Sequence, residues 1–80
     1  MNELEQIKNK LCDEQAQLFQ KLYKLDDFLV VSDIRNKRIS IKQRELMWMQ
    51  RNAMKMYIDV LQMRINELVE RISKEKSEVE

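Results

Sequence analysis

No glycine and no proline occur anywhere in this 80-residue chain, and that absence constrains the fold more than any residue present. Without glycine there is no low-cost left-handed turn, and without proline no rigid corner. Tightly turned sheets are disfavoured, whereas Leu, Met, Lys, Glu and Gln, which dominate the chain, lose little rotamer freedom in a helix. An all-α fold built from long helices is expected, and the length holds one domain, residues 1–80.

From Glu3 to Val31, Leu4, Ile7, Leu11, Leu18, Leu22, Leu25 and Leu29 recur in steps of three, four and seven, as on one face of an amphipathic helix. Cys12, Ala16, Phe19 and Tyr23 repeat that spacing about 100° further round, which widens the stripe. The pattern breaks over residues 32–39, where Ser32, Asp33 and Asn36 favour local side-chain bonds over helix continuation. Ser40, with Gln43 three residues later, then offers a capping box. A second helix follows, with Met47, Met54, Ile58, Leu61, Ile65, Leu68 and Ile72 as its main stripe. Two helices, about 3–31 and 40–76, joined by a short connection, are expected to form an antiparallel hairpin with these stripes face to face. The tail, about 74–80, has no stripe and is expected to fray. The sequence leaves open a continuous helix through residues 32–39 in an elongated dimer.

The stretch ELMWMQRNAMKMY, residues 45–57, carries apolar residues on nearly every side of the second helix. Leu46, Met49, Ala53, Met56, Val60 and Met63 fall at steps of three and four on the far side from the Met54 stripe. A two-helix hairpin buries one side of each helix, so this second seam would be an apolar patch larger than monomers usually expose. Self-association into a homo-oligomeric helical bundle is expected, with those residues at the interface. Methionine suits either a fixed core between subunits or a surface that repacks around a partner.

Histidine is absent and Cys12 is the lone cysteine, with Asp13 and Glu14 beside it arguing against a nucleophile. A small, half-buried Cys12 is the simpler expectation, and no enzyme activity, catalytic residue, metal site or cofactor is expected. A net charge of +1 is too weak a footprint for extended DNA or RNA. No apolar run could span a membrane, and MNELEQIKNK is not a signal peptide, so a cytoplasmic protein is expected. The clearest polar signal is RNKRISIKQR, residues 35–44, with Arg35, Lys37, Arg38, Lys42 and Arg44 and no acid. Cations beside a helix N-terminus can hold an anion, and arginine grips phosphate with two parallel hydrogen bonds. Together with Arg51, and with Tyr23 and Trp48 as stacking faces, they make a candidate site for a small phosphorylated ligand. The bland alternative is a charge run that merely solvates a bend.

Lys21, Leu22, Leu25, Phe28 and Leu29, then Leu46, Gln50, Ala53, Met54, Tyr57, Leu61, Arg64 and Ile65, follow a two-helix pattern. It resembles that of very short helical-hairpin proteins of tailed bacteriophages, crAss-like phages included. The "ELMW" near the start of the second helix is similar, more loosely, to phage anti-CBASS and anti-Thoeris sponges. That resemblance implies a symmetric oligomer that sequesters a cyclic di- or trinucleotide immune signal between subunits without cleaving it. It further implies an aromatic contact from Tyr23 and basic contacts from the Arg35 to Arg44 cluster. Two other readings stay open: a helical module that inhibits a host defence protein through its Met-rich face, and a purely structural coiled coil.

Overall fold

The computed structural model describes residues 2–35 and 39–79, with side chains for 2–30 and 39–77. Its elements are two α-helices, α1 (Glu3–Arg35) and α2 (Ile41–Val79). They pack against each other in an antiparallel hairpin 63 × 17 × 15 Å in extent. The register is fixed by polar ties along its length. Asn2 Nδ2 donates to Glu75 Oε2 (3.0 Å) at the open end, and Gln15 Nε2 donates to Gln62 Oε1 (2.9 Å) near the middle. Arg51 Nε donates to Asp26 Oδ1 (2.8 Å) toward the connection.

The two main stripes meet as their spacing requires, except that Ile7 of the α1 stripe stays exposed. Leu11, Leu22 and Leu29 of α1 are buried against Ile58, Leu61, Ile65, Leu68 and Ile72 of α2. Leu4 and Leu18 pack against the same core, while Leu25, Met47 and Met54 are half-buried. Leu61 is 0% exposed and Leu29 1%. Burial of one such side chain is worth about 1.5–3 kcal/mol, so this single row of contacts is most of what holds the hairpin.

The ends show why the helices start where they do. Ser40 Oγ accepts from Gln43 N–H (3.0 Å), the N-cap half of the expected capping box. Asn2 Oδ1 caps α1 in the same way, accepting from Leu4 N–H (2.8 Å).

Three local expectations change. α1 continues past Val31 to Arg35, because Ser32 and Asp33 are poor helix formers and not terminators, and no glycine offers a left-handed stop. The expected break at 32–39 therefore shrinks, with residues 36–38 outside the described part. α2 runs through the segment expected to fray, as far as Val79. That segment has partners the stripe does not reveal, since Lys76 Nζ lies 3.7 Å from Glu5 and Glu75 binds Asn2. Cys12, expected half-buried, is exposed, and so is Ala16, so the second α1 set is a flank of the hairpin and not core.

Candidate functional site

Asp26 and Arg51 form the central feature of one flank. Their side chains, 33% and 30% exposed, tie α1 to α2 at 2.8 Å. Asp26 thereby fixes the orientation of the guanidinium, whose Nη1 also donates to Asn52 Oδ1 (3.4 Å). Residues three apart share a helix face, so Tyr23 lies on the Asp26 side of α1 and Trp48 on the Arg51 side of α2. Because the helices run in opposite directions, the two rings flank the ion pair, each about one turn from it. Tyr23 stacks on Phe19, with ring centroids 6.1 Å apart and planes 20° from parallel. Tyr23 is 63% exposed and Trp48 43% exposed.

The steps of four and three from Arg44 to Trp48 to Arg51 place them on one ridge of α2, with half-buried Arg44 nearest the connection. Lys55 continues the ridge and pairs with Asp59 at 3.0 Å. Lys42 belongs elsewhere: it is four residues before Leu46 and seven before Met49, and so stands in line with the apolar seam. Arg35 ends α1 with its side chain outside the described part, and Lys37 and Arg38 lie outside the described residues altogether. The structure thus gathers Tyr23, Arg44, Trp48 and Arg51 on one flank and sets Lys42 apart from them.

On the opposite flank the Tyr57 hydroxyl donates to Glu14, a further tie between the helices. That hydrogen bond, then desolvation and the nearby negative charge, raise the Tyr57 pKa, while Arg64 opposes the shift.

The expected interface residues form an exposed line along α2. Met49 is 65% exposed, Met56 70% and Met63 62%, with Leu46, Ala53 and Val60 also exposed. Where the line ends, an open groove of about 330 Å³ lies between Ile7 of α1 and Val60, Met63, Arg64, Glu67 and Leu68 of α2. Among the described residues, no group of three or more His, Cys, Asp or Glu side chains could hold a metal ion. No helix among them is long and apolar enough to cross a membrane.

Sequence reasoning missed Asp26, Glu14 and the groove residues Arg64 and Glu67. The first two find their partners only through the inter-helix register, which no spacing within one helix encodes. Glu67 could have been found, since it sits four residues beyond Met63 in line with the seam.

A family model described as Sequestin matches residues 5–67. No curated protein and no solved structure matches the chain. The matched segment takes in nearly all of α1, the connection and α2 as far as Glu67, and with it the flank and the seam just described. The chain belongs to the Sequestin family.

Proposed function

We propose that this chain is a phage anti-defence protein that binds and sequesters a cyclic oligonucleotide immune signal, without cleaving it, in pockets between subunits. Membership of the Sequestin family, whose name denotes sequestration, supports the reading at its coarsest level. The observation that carries the finer reading is the flank on which Tyr23 and Trp48 stand either side of Arg51. A cyclic oligonucleotide presents flat bases around a ring of phosphates. Exposed aromatic faces would stack on the bases, and guanidinium groups spaced between them would meet the phosphates. Arg44 lies on the same ridge, and Arg35, Lys37 and Arg38 contribute charge from the connection and its flank. Binding without cleavage fits a sequence that lacks histidine, the usual acid or base for phosphodiester chemistry. The site works in the host cytoplasm, where such signals are made.

Calorimetry against a panel of cyclic di- and trinucleotides tests this. At least one should bind more tightly than about 10 μM, or roughly −7 kcal/mol. A panel with no binding of that strength would sink the reading.

The exposed Met49, Met56 and Met63 favour one second reading, a helical module that inhibits a host defence protein through this face. It requires that a Met56→Glu change abolish capture of a host protein from lysate while nucleotide binding persists. Loss of neither, or of both together, argues against it.

A further inference from the structure

The exposed line on α2 has an internal symmetry. Leu46, Met49, Ala53, Met56, Val60 and Met63 are separated by three, four, three, four and three residues, a spacing that reads the same in both directions. It is the a/d repeat of a two-stranded coiled coil, and the core-facing residues already occupied by α1 are not part of it. Beyond each end, four residues further, stands a charge: Lys42 before Leu46 and Glu67 after Met63.

We propose that α2 pairs antiparallel with the α2 of a second copy, about a two-fold axis passing between Ala53 and Met56. In that register every seam residue meets an apolar partner. Leu46 faces the partner's Met63, Met49 faces the partner's Val60, and Ala53 faces the partner's Met56. The smallest side chain thus opposes a large one, which is how facing layers interdigitate without voids. Lys42 faces the partner's Glu67, twice by symmetry, closing each end of the seam with opposite charges. Sliding the pair by one heptad would set Val60 against the partner's Lys42 and leave apolar residues without partners.

The parallel alternative also aligns the seam, but at a cost the antiparallel pair avoids. It stacks Ala53 on the partner's Ala53 beside a crowded methionine layer, and opposes Lys42 with Lys42 and Glu67 with Glu67. Its one added attraction, Asp59 to the partner's Arg64, draws on a carboxylate that Lys55 already holds at 3.0 Å. Helix dipoles also favour the antiparallel arrangement.

The groove supplies an independent fit. Val60, Met63 and Glu67 line it, and the antiparallel register brings the partner's Met49, Leu46 and Lys42 against those three residues. The partner's apolar side chains fill the groove, and its ammonium meets Glu67. The same pairing carries the partner's Arg64 across the seam to Gln43, in the first turn of α2 beside the basic connection. That contact lies on the Tyr57 side of α2, opposite the flank of Arg51 and Trp48. The pairing itself brings two copies together, as pockets between subunits require, and it stands or falls by itself, without any nucleotide.

Crosslinking and sedimentation test it. In a Cys12→Ser background, chains carrying Met49→Cys are mixed with chains carrying Val60→Cys and mildly oxidised. The antiparallel pair gives the mixed disulfide, whereas Met49→Cys alone does not crosslink, because eleven residues of rise, about 16 Å, separate the two copies of that site. Sedimentation equilibrium of the unaltered chain should give an even multiple of 9.8 kDa. Lys42→Glu should weaken association about tenfold, and adding Glu67→Lys should restore it. A monomer, efficient crosslinking of Met49→Cys with itself, or failure of the double charge swap to rescue would each overturn the proposal. The charge variants are on the surface, so the test survives if the cysteine variants fold poorly.

Discussion

Tyr57 and Glu14 show what one pair of side chains can report. The phenol donates to the carboxylate, so ionising Tyr57 would break the bond and place two negative charges together. The folded-state pKa is therefore raised, with the Glu14 hydrogen bond as the largest cause. A group raised in this way contributes stability that is complete below its unfolded value, about 10, and is lost as the pH climbs through the folded one. The contribution is constant across neutral pH and fades only under alkaline conditions. Glu14→Ala should lower the Tyr57 midpoint in an absorbance titration, with Tyr57→Phe subtracted to remove Tyr23. An unchanged midpoint would contradict the contact. On the other flank Trp48→Ala should weaken nucleotide binding by roughly the 1–3 kcal/mol of one stacked base, measured by calorimetry, with the helical content unchanged.

At the scale of an element, α2 does most of the work, because it carries one apolar line toward α1 and a second away from it. Its inner line is the sensitive one. Leu61→Ala should cost about 2–5 kcal/mol in urea unfolding, since the side chain is fully enclosed between the helices. Ser40→Ala should cost about 1 kcal/mol by removing the cap on Gln43 N–H. Both lines and the cap were legible in the sequence, because spacing and capping act within a few residues of one helix. The end of α1 was not legible: Val31, Ser32 and Asp33 weaken a helix without stopping it, and helix geometry persists to Arg35. Nor was the extension of α2 to Val79, which is accompanied by links from Glu75 and Lys76 back to α1. Such ties depend on how two distant segments align. For the same reason the ridge of Arg44, Trp48 and Arg51 could be read from spacing, but its clasp on Asp26 could not.

The whole molecule is a narrow rod, 63 Å long and about 17 Å across, with one row of core and a second apolar line left outside. That shape accounts for the division of labour proposed here. The inner row makes the hairpin; under the two proposals the outer line would pair two copies, and the flank with Tyr23, Arg51 and Trp48 would face the ligand. Family membership supports sequestration at its coarsest level, and the proposal that the ligand is captured without being cleaved has a direct test. A cyclic nucleotide that binds by calorimetry is incubated with excess protein and passed through a filter that retains the protein. The retained fraction is then heat-denatured and its small molecules analysed by mass spectrometry. Capture without cleavage predicts depletion from the filtrate and full recovery of the unchanged nucleotide after denaturation. A filtrate that keeps its nucleotide, or recovery of a hydrolysed product, would contradict it.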